Sequence, residues 1–448
     1  MGENKKLIER KSTFGHPPGL YVLFFTELWE RFSYYGMRAL FTLFLVAKTD
    51  SENPGFGWTN SEAITLYGWY TMLVYLASLP GGWIADKILG QKKTVMLGGI
   101  LLCIGHTILA FDNELSFYLG CFFVILGVGG LKPNISSMVG GLYQKGDERR
   151  DLGFYIFYMG INIGGFAAPI LCGWIGETYN WHYGFGLAAI GMFFGQLTYF
   201  YGQRYLVGVG DFIGESSHPD NKLIKHKLTQ VEKDRIKVLL ISFLLIIIFW
   251  GAFEQAGGLM NLYAKQKTDR MLLGIEIPAS WFQSLNSFFI ITLAVSVGGF
   301  WMRLKFKGKE ASSLYKIAVG ILIMGLGFMF MRFASSDYEV YGKSAMYWLV
   351  LAYLFHTIGE LCASPVSLSF ITKLAPLKYS SSIMGIYWAA TGLGNKLAAA
   401  IGGFAEKAGE KQIFTGIFIF CTLISLLVIL LLKQLKKLTH GAEELQKI

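Results

Sequence analysis

The chain has 448 residues, of which 53% are hydrophobic and only 16% charged, with a formal net charge of +10 and a mean hydropathy of +0.45. A soluble chain carries about 25% charged residues, so this composition excludes an ordinary soluble enzyme or binding module. The basic excess does not form a nucleic-acid surface either. It lies in short segments between apolar runs.

A membrane span needs about 20 mostly apolar residues. Such runs occur near 20–47, 60–85, 92–111, 115–142, 152–173, 183–206, 237–263, 279–302, 314–333, 345–375, 380–405 and 412–433. Twelve spans make the chain an all-α polytopic membrane protein. With the N-terminus in the cytoplasm, most Lys and Arg fall in the tails and even-numbered loops. By the positive-inside rule both termini are cytoplasmic, with anionic lipid as the partner of these clusters. MGENKKLIERKSTFGHPPG at the start is polar and basic, and is not read as a signal peptide. The longest polar stretch, 208–236, divides the spans six and six. The expected organisation is a tail over 1–18, a six-helix bundle over 19–207, a cytoplasmic linker over 208–236, a second bundle over 237–434 and a tail over 435–448. A weak repeat supports the division: GGWIADKILGQKKT (81–94) follows the second span and GGFWMRLKFKGKEAS (298–312) the eighth. Each Gly-Gly pair would let two helices approach closely. Repeated six-helix halves are the build of many secondary transporters, and the Gly-Gly, Asp86, Lys87 and Gly90 of the first copy resemble the loop signature of the major facilitator superfamily.

The first span contains ELWERFSYYGMRALF (27–41). Glu27, Glu30, Arg31, Tyr34 and Arg38 lie on one helical stripe, with Tyr35 at its edge. Glu27 can pair with Arg31 four residues on. An ion-pair network that only fixes packing is the bland reading, but such pairs are poor stabilisers beside apolar packing, and intramembrane charges more often mark a transport path or proton relay. Three further spans carry isolated charges: Lys132 in GVGGLKPNISS, Glu254 in IIFWGAFEQAGG and Glu360 in HTIGELCASPVS. The first and seventh spans occupy equivalent places in the two halves, as do the fourth and tenth, and each pair has one basic and one acidic member. Arg38 is therefore expected to face Glu254, and Lys132 to face Glu360, as salt-bridge gates that form and break during a transport cycle. A buried carboxylate keeps its charge while a cation is beside it and takes up a proton when the cation leaves. Pro133 and Pro365 would kink their helices beside these charges. His106 and His356 are read as satisfied helix–helix contacts. The five cysteines lie in apolar spans and are read as small core residues.

These residues carry a family resemblance. ELWERFSYY (27–35) resembles the E-x-x-E-R-F-x-Y-Y signature of the proton-dependent oligopeptide transporters, and FYMGINIG (157–164) resembles their F-Y-x-x-I-N-x-G. The segments around Lys132, Glu254 and Glu360 are also similar, and the likeness runs from about residue 19 to 430. It implies a major facilitator fold of twelve transmembrane helices in two six-helix bundles, importing di- and tripeptides with protons and needing no cofactor beyond the proton. The peptide site implied is Tyr34, Tyr35, Arg38, Tyr75, Lys132, Asn162, Trp250, Glu254, Asn286, Glu360, Ser364 and Trp388. Neighbouring aromatics or amides compete with Tyr75, Asn286 and Trp388 for their roles. Glu27, Glu30 and Arg31 would carry proton coupling, with Glu254 as a further proton site. Many bacterial members insert two extra helices between the halves, for which 208–236 is too short and polar. Animal members carry a proton-linked His in the second span, which is absent here.

The chemistry agrees with the resemblance. A zwitterionic peptide can be held at its carboxylate by Arg38 and Lys132 and at its ammonium by Glu360, while Tyr34, Tyr35, Tyr75, Trp250 and Trp388 offer apolar walls. The expectation is a monomeric symporter of a bacterial inner membrane, with no nucleic-acid partner. The alternative is a same-fold transporter of nitrate or a peptide-like compound. A membrane enzyme would need clustered His, Asp or Ser motifs, which the sequence lacks, and a receptor would leave the carboxylates unexplained.

Overall fold

The computed structural model describes residues 13–144, 147–212, 229–307, 311–375 and 380–442. The tail over 1–12, most of the expected linker (213–228) and the last six residues lie outside them. The helices are α1 (Pro18–Val46), α2 (Asn60–Leu76), α3 (Ser78–Ile84), α4 (Gln91–Leu109), α5 (Glu114–Gly141), α6 (Arg149–Thr178), α7 (Trp181–Gly202), α8 (Gln230–Phe253), α9 (Leu259–Lys267), α10 (Trp281–Phe306), α11 (Ser313–Tyr341), α12 (Met346–Leu374), α13 (Ser380–Gly403), α14 (Ala405–Ala408) and α15 (Glu410–Leu438). Taking α2 with α3 and α8 with α9 as broken single spans, and α14 as a turn after α13, they make twelve spans among the described residues.

Eight of these spans are long and apolar enough to cross a membrane on length and composition alone. The other four are α1, α2 with α3, α7 and α13. α1 falls short because it carries Glu27, Glu30, Arg31 and Arg38, and α2 because it has only 17 residues. α1, with these four charges buried, is thus among those that fall short, as expected of a helix whose charges face its neighbours rather than lipid.

The chain divides into two compact units, Met1–Gly55 with Leu73–Pro219, and Phe56–Met72 with Asp220–Ile448. The first part of α2 thus packs with the second unit, a detail that a plain six-and-six division of the sequence does not contain.

In the first unit α1 packs on α6 and α7, and α4 on α5. The α4–α5 contact is built on reciprocal glycines. A Cβ on Gly98 would lie 2.7 Å from the Gly127 carbonyl oxygen and one on Gly127 2.8 Å from that of Gly98; Gly105 and Gly120 oppose each other in the same way at 2.9 Å. The backbones meet directly, as small residues permit in membrane helices. Gly81 of the first Gly-Gly pair also does what the sequence suggests, since its Cβ would meet the Gly129 carbonyl at 2.0 Å. Gly82, Gly298 and Gly299 face open space. The repeat is therefore not a repeated packing contact, because α10, which bears the second copy, is mostly uncovered along its length.

The segment before α6 is tied to that before α1. Arg149 donates to Asp147 through its backbone N and Nε, both at 3.0 Å, and through Nη2 at 2.8 Å, while its Nη1 donates to the Gly15 carbonyl at 3.0 Å. Arg149 holds the Asp147 carboxyl well below its ordinary range, at about 2.

In the second unit α11 packs between α12 and α15, and α8 against α13. A capping box of Thr229 and Glu232 starts α8, satisfying two of the backbone donors a helix start leaves open. α8 ends in a 3-10 turn, Glu254–Ala256, and the chain resumes as α9 after Gly258. Beyond α9, β1 (Thr268–Asp269) pairs in parallel with β4 (Ser344–Ala345), and β2 (Met271–Leu272) pairs antiparallel with β3 (Ile275–Glu276). The sequence reading held no strands.

His106 and His356 are buried as packing residues, but neither ring nitrogen of either has a hydrogen-bond partner among the described residues. They are not the satisfied contacts expected. His356 fits because Gly327 leaves room: a Cβ there would lie 2.5 Å from its Cδ2. Four cysteines are buried and Cys103 is partly so, all unpaired.

Candidate functional site

The polar stripe of α1 is buried as its spacing predicts, with Glu27, Glu30, Arg31, Tyr34 and Arg38 all enclosed and Tyr35 half-buried. Arg31 is the hub. Its Nε lies 3.1 Å from Glu27 Oε1 and also pairs with Glu30 Oε2, and its Nη2 donates to Glu30 Oε1 at 2.7 Å. One guanidinium thus occupies both oxygens of Glu30 and one of Glu27. Glu27 Oε2 is buried with no hydrogen-bond partner among the described residues. The guanidinium also sits 5.2 Å from the Tyr34 ring centre and 6.0 Å from that of Tyr35, and Arg38 sits 5.6 Å from the Tyr35 ring. Cations over aromatic faces keep part of the stabilisation lost with water.

The second motif packs on the first. A Cβ on Gly164 of α6 would lie 2.3 Å from the Leu28 carbonyl oxygen and 3.1 Å from both Arg31 Cβ and Phe32 N. Gly160, one turn earlier, faces Phe24 at 2.9 Å in the same sense. The glycines of FYMGINIG therefore let α6 lie directly against the charged stretch of α1. Asn162 is buried and donates to the Tyr158 carbonyl of its own helix at 2.9 Å. On α5, the Lys132 ammonium lies 4.0 Å from the centre of the Tyr75 ring, so these two predicted residues do meet. Pro133 lies inside α5, and Ser137 bonds its carbonyl at 3.0 Å.

In the second unit, Asn286 of α10 donates to Glu360 Oε2 of α12 at 2.8 Å and to Thr357 Oγ1 at 3.1 Å. Two predicted residues are again brought together, with Thr357 as a third that sequence reasoning passed over. Glu254, at the break between α8 and α9, is buried and accepts a hydrogen bond from the Tyr67 hydroxyl of α2. Tyr67 was also missed; nothing in LYGWYTMLVY distinguishes it from its aromatic neighbours. Trp250 packs edge-on against Phe249 and Phe253, at 5.5 and 5.2 Å, and Trp388 against Tyr387 at 5.2 Å. Ser364 is half-buried, and its carbonyl accepts from Ser367 Oγ at 2.9 Å beside Pro365. Lys396, a span residue given no role from sequence, lies 4.1 Å from the ring centre of Trp69.

The first unit thus holds a buried, cation-rich cluster with two carboxylates locked to Arg31, and the second holds two carboxylates each bonded to a neighbour, Glu254 by Tyr67 and the half-buried Glu360 by Asn286. Such groups can exchange protons and hold a charged solute.

The family model described as "POT family" matches residues 92–209 and 213–417. The chain is similar to the peptide transporter YePEPT of Yersinia enterocolitica (37% identical, 97% of this chain and 98% of the relative). It is also similar to a di-/tripeptide transporter of Lactococcus lactis subsp. cremoris (32% identical, 96% and 97%). A solved structure, the peptide transporter POT in complex with sulfate, superposes with a TM-score of 0.90 at 31% identity over 98% of this chain and 99% of that one. The fold is accordingly the twelve-helix major facilitator fold, and the chain belongs to the POT family, the proton-dependent oligopeptide transporters.

Proposed function

We propose that the protein is a proton-coupled symporter that imports di- and tripeptides by alternating access. The observation that carries this reading is the buried Glu27–Glu30–Arg31 cluster adjoining Tyr34, Tyr35 and Arg38 on one face of α1. Glu27, Glu30 and Glu254 carry the protons. Glu27 Oε2, buried without a hydrogen-bond partner among the described residues, is the oxygen that can take a proton without displacing Arg31. A proton on Glu30 would instead break its two-point grip on Arg31, and that links protonation to the conformation of α1. The peptide carboxylate is taken by Arg38 and Lys132. Its ammonium is taken by Glu360, which Asn286 orients. Trp250, Trp388, Tyr34, Tyr35 and Tyr75 supply tolerant walls for side chains, with Asn162 and Ser364 as further polar contacts. Salt bridges Arg38–Glu254 and Lys132–Glu360 act as gates that alternate with the occupied state. The names of the Yersinia and Lactococcus relatives support the cargo class. A bacterial inner membrane, cytoplasmic termini and a monomeric state complete the proposal.

The test is uptake of labelled dialanine into proteoliposomes under an inward proton gradient, in wild type, Glu30→Gln and Glu360→Ala. The expected result is uptake abolished by an uncoupler, lost in Glu360→Ala and reduced to gradient-independent exchange in Glu30→Gln. Absence of dialanine uptake by correctly inserted wild-type protein would overturn the peptide assignment in favour of another small solute. For the gates, the swap Arg38→Glu with Glu254→Arg should recover part of the activity that either single change removes; no recovery here or in the Lys132–Glu360 swap sinks the pairing.

A further inference from the structure

The β2–β3 hairpin between α9 and α10 takes no part in the transport reading, yet it is firmly built. Arg270 is buried at its base, where Nη2 donates to Glu276 Oε1 and Nη1 to the Ile277 carbonyl, both at 2.5 Å. Ile277 N returns a bond to the Arg270 carbonyl at 2.9 Å. The β1–β4 pairing, together with Lys267 bonded to Glu410 at 2.7 Å, fixes this base beside the end of α11 and the start of α12.

That position defines a level in the membrane. Val340 and Tyr341 at the end of α11, and Tyr347 at the start of α12, are exposed there, and tyrosines at span ends belong to the headgroup layer. The hairpin turn is Leu273–Gly274, with φ of 52° and 83°. Such two-residue turns take Asn, Asp or Gly at the first position, because a side chain in the left-handed region is strained. Here the position holds a leucine that is 96% exposed, flanked by Ile275 at 72% and by exposed Met271 and Leu272. Residues suited to a water-exposed turn are replaced by apolar ones at every position of the tip except Gly274.

We propose that residues 271–275 form a lipid-contacting finger, seated in the interfacial layer of the bilayer at the membrane face where α11 ends and α12 begins. The occupant is lipid rather than a second copy of the chain, because four side chains are far fewer than the roughly 20–30 residues a side of a stable protein interface. The hairpin's base is also paired to the strand that joins the tyrosine-bearing ends of α11 and α12. The finger anchors the α9–α10 connection in the bilayer and holds the broken span α8–α9 at a set depth.

A nitroxide spin label on Leu273→Cys, in protein reconstituted into phospholipid nanodiscs, tests this. Accessibility to oxygen is compared with accessibility to a water-soluble nickel chelate, with Ile275→Cys as a second site and labelled wild type as the background of the native cysteines. Oxygen collisions exceeding nickel collisions at both sites is the expected result. Nickel collisions dominating places the tip in water and overturns the proposal. Low access to both reagents places it against protein and overturns it equally.

Discussion

Replacing Arg31 with methionine keeps most of the side-chain volume but removes the guanidinium that holds two buried carboxylates. Three of its contacts go: one with Glu27 and two with Glu30. Each charge-assisted hydrogen bond contributes about 1.5–3 kcal/mol net, and truncating one partner of a buried ion pair costs about 3–5 kcal/mol, because the partner is left buried and uncompensated. Arg31→Met should therefore destabilise the protein by about 3–5 kcal/mol. The triple change Glu27→Gln, Glu30→Gln, Arg31→Met removes the orphaned charges as well, and should restore most of that loss while leaving proton-driven uptake abolished. The assay is denaturant unfolding of purified protein in mild detergent, read by accessibility of the buried cysteines, with dialanine uptake measured in parallel. If the triple variant is no more stable than Arg31→Met, the cluster's cost lies in lost packing and the electrostatic argument is wrong.

Gly164→Ala places a methyl against the Leu28 carbonyl at 2.3 Å, so α1 and α6 must part. It should cost about 1–3 kcal/mol and depress uptake, whereas Gly416→Ala, with nothing within 4 Å, should be neutral or stabilising in the same unfolding assay. Asn286→Ala removes the donor that orients Glu360; the loss of one hydrogen bond to a charged group, about 1.5 kcal/mol, predicts a KM for dialanine raised roughly tenfold with kcat little changed. Asp147 has its carboxyl held at about 2 by Arg149. Since its folded value lies below the unfolded one, its contribution is fully present above the ordinary aspartate range and is lost only as pH falls toward about 2. Asp147→Asn should therefore leave the shape of the uptake profile between about pH 5 and 8 unchanged, and a shifted profile would show that this surface pair takes part in coupling.

The stripe on α1 was legible because helical spacing alone puts residues 27, 30, 31, 34 and 38 on one side, and the Glu27–Arg31 pair follows from the same geometry. The Glu30–Arg31 bond was not legible, since neighbours in sequence point about 100° apart on a helix. The long arginine folds back to reach both oxygens, and only packing shows it. Asn286 beside Glu360 is a tertiary contact between α10 and α12 that no local pattern encodes; it was reachable only through the family resemblance. Tyr67 beside Glu254 was invisible for the same reason. The glycines of the second motif were legible as a motif but not as a contact. The β2–β3 hairpin was not legible because Leu-Gly is not the usual turn pair, and MLLGIE is only a short apolar stretch after AKQKTDR, between the runs 237–263 and 279–302.

The reciprocal glycines of α4 and α5 bear on how this protein is made. Gly105 meets Gly120 and Gly98 meets Gly127 across a turn of a few residues, so these close backbone contacts of the first unit are also among its most local. Contacts of short sequence separation form early and fast. The pair can zip together as a helical hairpin while later spans are still on the ribosome, and enter the bilayer as one object. Substitution of these glycines would then show first as a defect in biogenesis, with less protein reaching the membrane.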